Sequence, residues 1–249
     1  MTELKGLVDA YSLRARVLPA ALVTMPAGIT LAVLLPGFDY KSVTALAVSA
    51  GLPIFAANTV RSRGKHLEDR LKRHWGGMPT TRMLRLTEPT NDPVALTQRR
   101  AGLEQLTEEP LPTLADEQAD LGAADQHYRA ATRTLIARVR ETKDKFDLVQ
   151  KENIDFGFRR NLTAMKPLGL VVLGALLLAD VGTFLIGASR PGPIIAAAGV
   201  VLLCTLGWVT VVRWRWVLEQ GNTYAERLFE ALDDPDFLVP AGARPDQDH

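Results

Sequence analysis

The chain has a single cysteine, Cys204, and it lies in an apolar run. An internal disulfide and a thiolate metal cluster are both excluded, and no redox compartment follows. Aromatic residues are only 6% of the chain. Net charge is +1, so bulk electrostatics names no nucleic-acid partner and no acidic one. Familiar catalytic signatures are missing as well. There is no G-x-x-x-x-G-K-S/T phosphate loop, no G-x-S-x-G elbow and no H-E-x-x-H metal helix. His66, His74, His127 and His249 stand at spacings that suit no metal site, with one another or with carboxylates. The expectation is a protein that is not an enzyme, with no catalytic residue, no metal and no cofactor.

What the chain does have is apolar sequence, 47% of residues, beside 23% charged residues. The two are segregated. A bilayer core of about 30 Å takes about 20 apolar residues in a helix. Four stretches without Lys or Arg reach that length: Val17–Leu35, Val43–Val60, Pro167–Gly187 and Pro193–Val212. Short links, "PGFDYKS" and "ASRPG", join them in pairs. The first stretch is longer than a signal-peptide core of about 7–15 residues, and the second follows at once, which favours a retained anchor. The expected layout is residues 1–16, a transmembrane hairpin over 17–60, a helical domain over 61–166, a second hairpin over 167–212, and an amphipathic helix with a disordered tail over 213–249.

Basic residues cluster at one end of each stretch: Arg14 and Arg16, then Arg61, Arg63 and Lys65, then Arg159, Arg160 and Lys166, then Arg213 and Arg215. The two short links hold only Lys41 and Arg190. Positive charge stays on the inner side, so both termini and the central domain are expected in the cytoplasm. Phe156 and Phe158, interleaved with Arg159 and Arg160, read as a membrane-surface elbow, and Trp214 and Trp216 as an interfacial aromatic belt.

Lipid tails give helices no hydrophobic reason to associate, so close packing needs small side chains. Ala20, Thr24, Gly28 and Ala32 form one such stripe, and Ala175, Ala179, Thr183 and Gly187 another. They place the first and third stretches at the centre of the bundle or between protomers of a homo-oligomer. Pro26 and Pro53 remove backbone bonds in mid-span and are expected to kink their helices. Asp180 is the one ionisable group within the four stretches. A charge there costs roughly 2.5–3.5 kcal/mol on insertion scales. Three roles stand open: a protonated group bonded to Asn58, Thr24 or Thr183, a lining of a cation path, and a proton relay.

In the central domain, the second stretch is expected to run on as a helix to Gly76-Gly77. "TRMLRLT" reads as a short helix capped by Thr80 or Thr81, or as a strand of a hairpin. Asp92-Pro93 reads as cap and first turn of a helix. Thr113 is expected to cap a long helix to about Thr142. Trp75, Gly76, Gly77, Thr80, Thr81, Arg82 and Arg85 could bind a phosphate-bearing ligand: glycine amides, hydroxyls and guanidinium groups beside a helix start, with Trp75 to stack on a base. The competing reading is a capping turn with Trp75 packed inside. Beyond the fourth stretch, Leu228, Phe229 and Leu232 share one helix side and are expected to dock on the domain or on a second protomer.

"WGGMPTTRML", followed by "KENIDFGFRRN" just before an apolar hairpin, resembles a widespread group of uncharacterised bacterial integral membrane proteins. The layout of hairpin, cytoplasmic domain and hairpin is similar to that of four-span effectors of bacterial anti-phage systems, in which a nucleotide signal triggers membrane disruption. The likeness is one of architecture. The expected fold is thus an all-α membrane protein of the bacterial inner membrane, with two hairpins flanking a mostly helical cytoplasmic domain. The expected function is an oligomeric effector or pore gated by a nucleotide signal or a partner protein. The alternative is a scaffolding membrane protein with a docking domain.

Overall fold

A computed structural model describes residues 13–34, 40–142, 145–187 and 191–238; side chains are described outside 32–34 and 40–57. The described residues hold helices and no strand. After a wide helical turn at Leu13–Val17 come α1 (Leu18–Leu34), α2 (Tyr40–Trp75), α3 (Pro79–Arg82), α4 (Pro93–Thr107), α5 (Leu114–Ala119) and α6 (Leu121–Glu141). Then follow α7 (Asp147–Leu185), α8 (Pro191–Thr210), α9 (Trp214–Glu230), a 3-10 turn at Ala231–Asp233 and α10 (Pro235–Leu238). "TRMLRLT" therefore forms the end of a short helix and turns, and the hairpin alternative fails.

The chain divides into two compact units, Met1–Arg70 with Ile154–Val217 and Leu71–Asn153 with Leu218–His249. In the first unit, α7 and α8 are long and apolar enough to cross a membrane. Only 17% and 22% of their apolar stretches are buried. Among the described residues two helices meet the expectation of four. Helix α1 has 17 residues, about 26 Å of rise, at the lower limit of a span. Val43–Val60 lies within α2, mostly outside the described side chains. The first short link, residues 188–190 of the second, Pro53, Ala32 and the tail from Pro240 also lie outside the described side chains or residues.

Helix α1 packs along α8. Ala20, Val23, Val60, Leu162, Met165, Leu173, Val201 and Trp208 form the apolar core of this unit. Of the two small-residue stripes, Ala20 and Gly28 are buried while Ala175 and Ala179 are exposed. Among the described residues α1 packs on α8, and Ala175 and Ala179 of the α7 stripe stay exposed within the chain, so the central pairing of first and third stretches gives way to α1 on α8.

A polar pin fastens α7 to α2 and to the Leu13–Val17 turn. Asn161 is buried and donates its amide to the Ala15 carbonyl at 2.6 Å. Arg160, beside it, forms an ion pair with Glu68. The backbones come so close that a Cβ on Gly64 would lie 1.9 Å from Asn161 Oδ1. Glycine is required there by contact, not by backbone angle.

The second unit has its own core of Leu84, Leu103, Tyr128, Leu135, Leu228 and Phe237 with their neighbours. Local signals set its helix starts. Asp92 accepts from Ala95 N, with Pro93 in the first turn. Thr113 and Asp116 form a capping box, but that helix ends at Ala119. Asp120 then caps α6 by accepting from Ala123 N. The expected single helix from Thr113 is therefore two, because Asp120 offers a fresh cap in mid-run. Leu228, Phe229 and Leu232 are buried in this core, as their spacing predicts.

Gly64→Ala is expected to lower the stability of the first unit by roughly 1–3 kcal/mol, the usual cost of overpacking. Thermal melts in detergent check it. Asn161→Ala in the same chain should relieve part of that loss, giving a positive coupling in the double-mutant cycle. Strictly additive losses would mean the two residues do not meet.

Candidate functional site

The turn after α2 is built by two glycines. Gly76 has φ 70° and Gly77 φ 142°, angles that side-chain-bearing residues rarely adopt. Gly77 N donates back to the Lys72 carbonyl at 2.8 Å and closes the helix end. Trp75 is buried at its base. Met78, without a side-chain cap, precedes α3, so Thr80 and Thr81 lie inside that helix and cap nothing. Thr81 is buried.

Both arginines of this turn are committed inside the protein. Arg82 grips Glu88 with two parallel bonds of 2.9 and 3.0 Å. Arg85 grips Asp125 with bonds of 2.9 and 2.7 Å and caps the Gly76 carbonyl at 2.5 Å. Bidentate charge-assisted pairs are the strongest that side chains form. The Arg82 fork holds the Glu88 carboxyl below its ordinary range. Trp75, Gly76, Gly77, Thr80, Thr81, Arg82 and Arg85 thus come together, and their geometry is that of a closing turn whose cations already have anions.

Beside it lies a polar centre that the sequence does not announce. Glu117 is buried and accepts from Leu86 N at 2.7 Å, Thr87 N at 2.9 Å, Thr87 Oγ1 at 2.8 Å and the Tyr128 hydroxyl. Arg100 donates to the Leu84 carbonyl, the Tyr128 hydroxyl and the Pro112 carbonyl at 2.9, 2.9 and 2.6 Å. Burial pushes the Tyr128 phenol up to about 12, with the bond to Glu117 adding to it. Burial also opposes ionisation of Glu117, but the bonds from Tyr128, Leu86 and Thr87 together outweigh it and lower its pKa. The result is a locked ionised acid, not a proton donor. A polar cleft of about 340 Å³ opens beside the turn, lined by Arg82, Asn91, Arg99, Asn222 and Glu226. Arg99 there stacks over Phe229 at 5.6 Å.

The acid of the first unit is the opposite case. Asp180 is 0% exposed, and neither carboxyl oxygen has a hydrogen-bond partner. Asn58 is exposed. Thr24 donates to the Ala20 carbonyl and Thr183 to the Ala179 carbonyl within their own helices. None of the three expected partners is bonded to Asp180. Thr30 Oγ1 and Thr163 Oγ1 are buried and unpartnered as well.

The expected interfacial residues divide. Phe156 is buried, and Arg160 is engaged by Glu68. Phe158 stands edge-on to Trp216 at 6.2 Å. Arg159 lies over the Trp216 ring at 4.9 Å. Trp214 is half-exposed. Among the described residues no group of His, Cys, Asp and Glu could hold a metal ion. Comparison with protein-family models, curated proteins and solved structures finds no match.

Stability of the second unit should fall in acid. The folded pKa of Glu117 lies below its ordinary 4.5, so its contribution is present above that value and is lost as pH falls through the folded value. Glu88 has the same sign. Glu117→Gln is expected to cost about 3 kcal/mol at pH 7, because its donors lose an ionised acceptor, and to flatten the acid dependence. Urea titrations read by hydrogen exchange of α6 peptides, at pH 7 and near pH 4, check both. An unchanged acid slope in the variant would remove Glu117 from this role.

Proposed function

We propose that the chain is a non-enzymatic, multi-pass protein of the bacterial inner membrane that works as a gated effector or pore. In this reading α1 and the apolar part of α2 join α7 and α8 as two hairpins, with both termini and the second unit on the cytoplasmic side. The lipid bilayer and further copies of the chain are its partners. The pairing of Arg82 with Glu88 and of Arg85 with Asp125 leaves that turn little to offer a nucleotide. A partner protein is the gating signal that fits better. Phage defence is the setting that the layout suggests.

The observation that carries the reading is Asp180, sealed from solvent without one hydrogen bond. Such a carboxyl opposes the state that buries it, by roughly 2.5–3.5 kcal/mol on insertion scales. Any state that wets it recovers that energy. A membrane protein built only to hold still gains nothing from this group. One that switches between a dry and a wet bundle gains a built-in bias toward opening, and a cation-attracting wall once open. The exposed Ala175 and Ala179 on the same helix suit close contact with a second copy.

The test is leakage of cations and dye from liposomes holding the full chain. Wild type is expected to leak, and Asp180→Asn to leak roughly a hundredfold less, the factor that corresponds to losing that bias. A scaffold would tolerate Asn, which has nearly the same shape and no charge. Equal leakage from both chains, or none from wild type with or without a captured cytoplasmic partner, would end the pore reading.

A further inference from the structure

The end of α8 gathers positive charge that the chain does not neutralise. Lys166 Nζ donates to the Val212 carbonyl at 2.7 Å. Arg213 Nε reaches the Val209 carbonyl at 3.5 Å. Burial lowers the pKa of Lys166, and the nearby charge of Arg213 lowers it further. Arg159 donates to the Trp216 carbonyl at 3.2 Å and lies over its ring. Arg215 lies over the Trp214 ring at 5.4 Å. Every one of these partners is a carbonyl or an aromatic face. Among the described residues none of the four cations is paired with a carboxylate, and Asp155, one turn before Arg159, makes no bridge to it.

Helix ends attract cations, and one or two would satisfy the last carbonyls of α8. Four exceed that need. Carbonyls and rings fix where the cations stand, yet bring no negative charge. Arg213 and Arg215 are exposed and Trp214 is 40% exposed. Unneutralised cations among tryptophans, at the end of an apolar helix, are the complement of a phosphate group at the depth of a lipid headgroup.

We infer that Arg159, Lys166, Arg213 and Arg215 form a site for the headgroup of an anionic phospholipid, a selective contact rather than a general attraction to the bilayer. The inference rests on α7 and α8 crossing the membrane.

The test uses the full chain in vesicles of mixed phosphatidylcholine and phosphatidylglycerol, with bromine on the tails of one lipid at a time. Bromine quenches nearby tryptophan. Trp214 and Trp216 are the reporters, since Trp75 and Trp208 are buried. Brominated phosphatidylglycerol is expected to quench more than its share of the mixture. Each cation is expected to contribute a preference of roughly fivefold. The Lys166→Gln, Arg213→Gln pair should lose most of the preference, while Lys166→Arg with Arg213→Lys should keep it. The site is overturned if wild type is quenched equally by both lipids, if the Gln pair keeps the preference, or if millimolar glycerol phosphate removes it, which would mark a soluble ligand. Equal quenching leaves α7 and α8 in the membrane; no quenching by either lipid removes the membrane reading itself.

Discussion

Only 17% and 22% of the apolar stretches of α7 and α8 are buried. Water does not tolerate contiguous apolar surface on that scale. Lipid does, and in the membrane setting proposed for the chain it sets the terms for every polar group nearby. A backbone or side-chain group facing hydrocarbon must find its partner inside the protein or do without. Asn161 finds one in the Ala15 carbonyl. The threonines at 24, 183, 205 and 210 find theirs by bonding back to the preceding turn. An ionised Asp180 has no proton to give a carbonyl, so that solution is closed to it.

The features legible in sequence are those that depend on neighbours within a turn or two. The Asp92-Pro93 start, the Gly76-Gly77 stop and the buried side of α9 each follow from local spacing, and each stands where that spacing puts it. Thr113 shows the limit of such reading. Its cap is real, but Asp120 competes seven residues on, and the chain restarts there. Nothing in periodicity says which of two good caps prevails.

Long-range pairing was not legible at all. Glu117 sits in "LADEQAD", a run that reads as a solvated face, yet it is the acceptor that joins Leu86, Thr87 and Tyr128. Arg85 beside two glycines has the look of an anion site. Its anion is Asp125, forty residues on and carried by α6. A phosphate-binding turn and a self-neutralised turn can share the same local sequence. They differ only in whether the fold brings a carboxylate, and that information lies in the core packing that positions α6, not in the turn.

This difference separates the two units by their electrostatics. In the second unit several cations pair with acids: Arg82 with Glu88, Arg85 with Asp125, Lys145 with Asp234 and Arg227 with Glu230. In the first unit Arg160 pairs with Glu68. That unit's remaining described features are an acid without a cation at Asp180 and, at the end of α8, cations without acids. Both sit in one polypeptide that has acids and bases in nearly equal number, 28 and 29, so scarcity of partners is not the reason. A soluble bundle would gain by pairing them. A bundle in lipid has other partners for each: phosphate for cations at the headgroup, and water for the acid once the helices part. The charges left unpaired inside the chain are thus the ones through which it would meet its surroundings.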